Sequence, residues 1–297
     1  VLSFSLNNQL GFMVVGIGIG TELSLNGTVA HAFVHIIYKA LLFMSMGAVL
    51  HRVGTTKASE LGGLYRYMPL TTIFCIIGAM SISAFPLFSG FVAKSLIMSA
   101  LGGQGLIIIY FVLFFASAGV LEHSGIKIPY FAFFAHERKT KVREAPFNML
   151  LAMGIAAFLC IGIGIYPKYL YSILPYSVEY HPYTIDHVVS QLQLLVFAIL
   201  AFLFLIKFKL YPSEIKSTVL NSDWFYRKML PGIGKPLFKN LSFMISLIYS
   251  QLGLFFKYFM NKTKNLSTSN YIKVINPGFA TFVLISILFL MLLIAVI

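Results

Sequence analysis

The chain has 297 residues, of which 59% are hydrophobic and 10% charged, and its mean hydropathy is +0.87. A soluble domain carries about 25% charged residues because its surface faces water; this composition implies a surface facing lipid and excludes a soluble α/β enzyme. The net charge of +13 does not point to nucleic acid, because lysines and arginines such as Arg138, Lys139, Lys141 and Arg143 sit in short connectors between apolar runs, as the positive-inside rule arranges them.

Val1 opens directly on an apolar stretch with no signal-peptide pattern, so the chain reads as the later part of a longer protein. A helix needs about 20 apolar residues to cross a bilayer. The first such run is Gly-rich, covers about 5–22 and ends at Glu22; a second, about 28–50, ends at His51 and Arg52. The connector after it holds Lys57, Glu60, Gly62-Gly63 and Arg66. From Tyr67 to Leu121 there is one formal charge, Lys94, and the stretch is long enough for two spans and most of a third. Pro86 and Gly90 interrupt its first part.

The third of these spans runs on to Glu122, His123 and Lys127 before the basic connector at 136–144. Counting three crossings between the 52–66 and 136–144 connectors places them on opposite sides. The second is more basic and is set in the cytoplasm, together with Lys207, Lys209, Lys216, Arg227 and Lys228. Further spans are expected at about 147–165, 188–206 and 274–297. Cys75 and Cys160 lie far apart in apolar runs and imply neither a disulfide nor a metal site.

Residues 235–262 follow another pattern. Lys235, Lys239, Ser242, Ser246, Ser250, Gly253, Lys257 and Asn261 recur every three or four residues in an otherwise apolar sequence. That is one polar stripe on an apolar cylinder, and it reads as a helix lying at the membrane interface. An ordinary span is the competing reading, because residues 240–256 carry no charge.

Ionisable groups inside a bilayer are costly and mark ion paths or proton relays. Lys94 is the clearest, with Arg66 and Glu122 as its nearest charged neighbours in sequence. Desolvation makes its charge expensive, so the amine can release and regain a proton. Pro86 and Gly90 loosen the helix beside it, and irregular backbone is tolerated where it lines a cavity. A structural lysine paired with a distant acid is the plainer alternative.

His31, His35 and Lys39 share one helix face, with about 6 Å of rise per step. Imidazoles both donate and accept, so the row reads as a relay; a packing role is the alternative. Glu122, His123 and Lys127 lie near the end of their span, and a proton exit and a snorkelling ion pair explain them equally. Glu179, His181, Asp186 and His187 form a loop cluster whose irregular spacing argues against a metal site, and it reads as solvated loop. No dinucleotide loop or Cys cluster is visible, so no cofactor and no metal is expected.

HAFVHIIYKALLF at 31–43, ELGGLYRYMP at 60–69 and FPLFSGFVAKSLI at 85–97 resemble the antiporter-like subunits shared by Mrp-type Na+/H+ antiporters and respiratory complex I. Over 1–145 the likeness is greatest to the D-type subunit of Mrp antiporters. Beyond that, DWFYRK at 223–228, the amphipathic helix and a last anchoring span are similar to the longest such subunit of complex I. The resemblance implies inverted five-helix repeats, each building a half-channel. It implies that Lys94 is the lysine of a discontinuous helix, that Lys39 is the interior lysine two spans earlier with His31 and His35 as relay histidines, and that Lys127 stands where many relatives have arginine. The first repeat, with its glutamate–lysine pair, has no counterpart in these residues.

The predicted fold class is all-α, a polytopic transmembrane helix bundle with an interfacial amphipathic helix and a C-terminal anchoring span. Its expected parts are a second repeat at 1–145, two additional spans at 146–210, a connector at 211–273 and an anchoring span at 274–297. The resemblance implies proton and Na+ translocation in the inner cell membrane. The partners would be other membrane subunits of a hetero-oligomeric antiporter, with lipid around it and no nucleic acid. A proton-pumping subunit of complex I or a related hydrogenase, bicarbonate-coupled transport, and a structural membrane anchor are the alternatives.

Overall fold

The computed structural model describes residues 1–135, 141–211, 222–267 and 277–296. Arg138, Lys139 and Lys216, basic connector residues in the sequence, lie outside the described residues. The described residues form helices and turns with no strand among them, and five helices are long and apolar enough to cross a membrane. The chain is an all-α, polytopic membrane bundle. It divides into two compact units, Val1–Lys216 and Ser217–Ile297.

In the first unit, α1 (Ser5–Ile19) leads through Gly20 into α2 (Glu22–Val53). The hydroxyl of Thr21 accepts the Ser24 N–H at 3.2 Å and caps α2, which stops at Gly54, in the left-handed region at φ 81°. There the Gly54 N–H bonds the Leu50 carbonyl at 2.8 Å, an arrangement that only glycine adopts without strain. α2 is the centre of the unit. It packs against α1, α3 (Pro69–Ile82), α4 (Ser89–Gly103) and α6 (Phe147–Ile165), and Ala30, Val34, Tyr38, Leu41, Leu42, Ala48 and Val49 are wholly buried. Lipid tails are as apolar as leucine, so close packing rather than water exclusion holds such helices together. Gly27 supplies it: a Cβ there would lie 2.9 Å from the Ile97 backbone nitrogen of α4.

α5 (Ile107–Phe134) contains two wider turns, at Leu121–Ile126 and Tyr130–Phe134. After α6 come the short α7 (Lys168–Ser172) and α8 (Ile185–Lys207), whose cap is the Thr184 hydroxyl.

The structure corrects the crossing count. Glu144, just before α6, accepts the Leu70 N–H at 2.8 Å and the Thr71 hydroxyl at 2.6 Å, both in the first turn of α3. Its own carbonyl accepts from Arg52 Nε at 2.8 Å, at the end of α2. Tyr65 stacks on Phe134, centroids 5.3 Å apart. The 52–66 connector and residues 141–144 therefore share one end of the bundle. Residues 69–103 cross once, as two half-helices, because α4 runs on to the end where α2 begins; in length and apolarity alone they read as two spans.

The tail of α8 belongs to the same end, since the Phe202 and Tyr211 rings meet Tyr130 and Phe131 of α5 at 5.8 and 6.2 Å. Arg52, Lys57, Arg66, Lys141, Arg143, Lys207 and Lys209 thus gather together. Among the described residues, the other end carries Lys168 with Glu22, Glu179 and Asp186. The basic residues of 52–66 need not be stranded outside, as the sequence count requires.

In the second unit, α9 (Leu230–Ser267) follows a wide turn at Phe225–Met229, and α10 (Pro277–Val296) comes last. The side chains of α9 are mostly exposed within the unit. Ser242, Ser246 and Ser250 each donate to the carbonyl three residues earlier, at 2.9, 2.7 and 2.8 Å. The helix that the sequence sets at the interface is also long and apolar enough to cross the membrane over Phe225–Lys262.

Candidate functional site

The site is built on the break between α3 and α4. Pro86 lacks an N–H and disfavours helical geometry at Phe85 before it. Ala84 and Leu87 take φ values of 56° and 72°, which cost side-chain-bearing residues about 1–3 kcal/mol each. The neighbouring packing holds these conformations. Gly90 lies directly against the Ser81 carbonyl, where a Cβ would collide, and the hydroxyls of Ser81 and Ser89 bond at 2.8 Å across the gap. Gly164 of α6 similarly abuts the Leu87 backbone, and Gly125, in the first wide turn of α5, abuts Ser83.

The break frees the Ile82 carbonyl, and Lys94 Nζ donates to it at 2.8 Å. The ammonium of one half-helix thus closes the carbonyl end of the other, where the helix dipole favours positive charge. Lys94 is only 3% exposed, and its Nζ lies 5.1 Å from the Phe12 ring centroid, within cation–π range. Among the described residues no carboxylate forms a salt bridge with it.

His31, His35 and Lys39 are all buried on α2. The two imidazoles lie 6.2 Å apart, centroid to centroid, and Phe12 packs at 6.1 Å from His31. α1 supplies the partners for the far end of the row: Lys39 Nζ donates to the Ser5 hydroxyl, and the Tyr38 hydroxyl to Gln9 Oε1 at 2.9 Å. Between Lys94 and Lys39 both ring nitrogens of His31, Nε2 of His35 and Nε2 of Gln9 are buried with no protein hydrogen-bond partner. A buried polar atom left so costs about 1–3 kcal/mol. Proteins satisfy such atoms with internal water, and a chain of imidazoles and water is what a hopping proton needs.

His123 is drawn into the same region. The wide turn at Leu121–Ile126 rotates it toward α1, where its Nε2 meets Asn8 Nδ2 at 3.1 Å, while Nδ1 bonds the Ser124 hydroxyl at 2.6 Å. Such turns are frequent at functional sites. Glu122 and Lys127 stay half-buried at the edge of the bundle, where Lys127 Nζ lies 5.9 and 5.7 Å from the Phe131 and Tyr211 rings. The structure therefore joins His123 to the α1 side of the row and leaves Glu122 and Lys127 apart from Lys94.

A cavity of about 40 Å³ opens on the other side of Lys94, lined also by Ser95, Ser117, Gln191 and His187. That is room for about three or four water molecules at about 10–15 Å³ each. Gln191 donates to the Ser83 carbonyl of the break at 3.3 Å. By sequence, His187 falls in a solvated loop cluster. Glu179, His181 and Asp186 are indeed exposed, but the first turn of α8 carries His187 inward to Ser99 and Tyr180 at 3.1 and 2.9 Å. Sequence patterns also leave Ser5, Asn8 and Gln9 unmarked. Their one signal is a run of polar residues at 5–9 inside an apolar stretch.

A family model described as NADH:quinone oxidoreductase/Mrp antiporter, transmembrane, matches residues 1–120. The chain is 33% identical to the D-type subunit of the Na(+)/H(+) antiporter of Alkalihalophilus pseudofirmus over 180 residues, 58% of this chain and 36% of that protein. It is 27% identical to NADH-ubiquinone oxidoreductase chain 5 of Podospora anserina over 268 residues, 84% of this chain and 41% of the relative. The chain thus spans about two fifths of the length of these relatives. Its fold resembles a chain of the Mrp complex from Dietzia sp. DQ12-45-1b, with a TM-score of 0.60 and 17% identity, over 99% of this chain and 31% of that one.

Proposed function

Because residues 1–120 match the NADH:quinone oxidoreductase/Mrp antiporter transmembrane family, we propose that the chain translocates protons and a monovalent cation, Na+, as one subunit of a multi-subunit Mrp-type antiporter. The observation that carries the proposal is Lys94: a buried amine bonded to the carbonyl exposed by a broken helix, with a row of protonatable groups along α2 and a small cavity, lined by both aromatic and polar side chains, beside it. When Lys94 loses its proton, the Ile82 carbonyl loses its charged partner. The two half-helices are then held less tightly, so proton occupancy and helix geometry are coupled. His31 and His35 carry the proton along α2 to Lys39, and Ser5, Asn8, Gln9 and His123 keep that end of the row polar.

In this reading residues 1–145 form one half-channel, 146–210 add two spans, 211–273 connect them to the last helix, and 274–297 anchor the chain. The end that gathers Arg52, Lys57, Arg66, Lys141 and Arg143 faces the cytoplasm of an inner cell membrane, as the positive-inside rule favours. A second reading, a proton-pumping subunit of an NADH:quinone oxidoreductase, has its own support: the likeness to chain 5 extends over 84% of this chain against 58% for the D-type antiporter subunit. Proton flux in vesicles containing the full assembly tests both. The expected result is Na+-dependent flux that falls at least about tenfold in Lys94→Ala. Flux that needs quinone reduction instead selects the second reading, and unchanged flux in an intact Lys94→Ala assembly removes both and leaves a membrane anchor.

A further inference from the structure

We propose that His187, with Tyr180 and Ser99, is the proton-transfer group linking Lys94 to water at the end of the bundle formed by residues 166–184. This deepens the function proposed above and rests on Lys94 being the proton-carrying amine.

Three observations converge. First, Lys94 and His187 line the same small cavity, and among its aromatic and aliphatic walls stand further hydroxyls and an amide, those of Ser95, Tyr110, Ser117, Ser190 and Gln191. Water there has the two to four polar partners it needs. Second, His187 closes a ring of hydrogen bonds: Nε2 to the Ser99 hydroxyl at 3.1 Å, Nδ1 to the Tyr180 hydroxyl at 2.9 Å, and Ser99 to Tyr180 at 2.9 Å. Third, the ring stands where the cavity meets the loop. Tyr180 and His187 are half-buried, while Glu179, His181 and Asp186 on either side are exposed.

The chemistry follows from the ring. Both members beside the imidazole are hydroxyls, each able to donate or accept. When all three bonds reverse direction, His187 passes from one neutral tautomer to the other with no net charge moved. A proton arriving from the loop makes the imidazolium, which donates to both hydroxyls. A proton leaving from a ring nitrogen through cavity water to the Lys94 amine restores the neutral ring, and the ammonium it creates keeps its bond to the Ile82 carbonyl. One proton enters, one leaves, and no bond other than to hydrogen is made or broken.

The full assembly in vesicles tests this, with four variants compared at equal amounts of assembled complex. His187→Gln keeps a donor and an acceptor but cannot carry a proton, so flux is expected to fall at least about tenfold, within the range that positioned acid–base groups contribute. A structural role would survive this change, and wild-type flux in His187→Gln overturns the proposal. In His187→Gly, imidazole added on the side of the 166–184 loop restores flux; no restoration from that side overturns it. Tyr180→Phe, which opens the ring but keeps the imidazole, lowers flux by a smaller factor, and a loss as large as that of His187→Gln overturns the role given to the imidazole. Lys94→Ala separates the two proposals: silent Lys94→Ala with normal His187→Gln removes the port alone, whereas normal flux in Lys94→Ala removes the parent function.

Discussion

α2 and α9 present the same pattern in sequence, polar residues every three or four positions along an apolar helix, and they differ in what those residues touch. On α2 the polar side chains are buried: His31 is 0% exposed and His35 and Lys39 6% each, with ring nitrogens that no protein group satisfies. On α9 the serines satisfy themselves, each donating to its own backbone three residues back. A self-satisfied stripe needs neither water nor a partner, and it suits a helix lying on the membrane or crossing it. An unsatisfied row at the same spacing needs water. Periodicity reveals a face; unmet hydrogen-bonding capacity shows that the face calls for a partner.

That contrast can be broken at several points. The largest effect is expected at Gly90, where any Cβ would meet the Ser81 carbonyl: Gly90→Val should cost more than about 3 kcal/mol, the upper range for overpacking, and be seen as loss of assembled complex. If Gly90→Val assembles normally, the break is not held by this contact. Next is Glu144→Ala, which removes the acceptor for Leu70 and Thr71; charged hydrogen bonds contribute about 1.5–3 kcal/mol each, so thermal stability in detergent should drop clearly.

His31→Leu sharpens the comparison most, because two properties should move in opposite directions. Replacing two unsatisfied nitrogens with apolar volume should raise stability by about 1 kcal/mol while proton flux falls. A fall in both would make His31 an ordinary packing residue. The smallest effect belongs to α9, where the triple change Ser242→Ala, Ser246→Ala, Ser250→Ala should leave stability within about 0.5 kcal/mol and flux unchanged. A large loss there would mean that the stripe meets something other than its own backbone.

Much of the bundle is legible because charges are rare in it. Lys94 stands alone among apolar residues from Tyr67 to Leu121, and the four-residue spacing of His31, His35 and Lys39 survives folding because one helix carries all three. What cannot be read depends on distant parts of the chain meeting. Residues from Pro69 to Gly103 look like two crossings until Glu144 ties the start of α3 to the end of α2 and the start of α6. Ser5, Asn8 and Gln9 are neutral and common, and they gain meaning only when Lys39, His123 and Tyr38 come to them. His187 looks like its loop neighbours because its partner Ser99 lies 88 positions away.

The gathering of both basic connectors at one end gives the molecule electrical polarity. That end carries seven cationic side chains with Glu60 and Glu144 among them, whereas the opposite face offers, among the described residues, Lys168 beside Glu22, Glu179 and Asp186, all exposed. Fields of one sign over a surface concentrate ions of the other. Cations are therefore enriched just outside the 166–184 loop and repelled from the far face, so the two faces of the bundle offer a positive ion unequal local concentrations before any transmembrane gradient is applied.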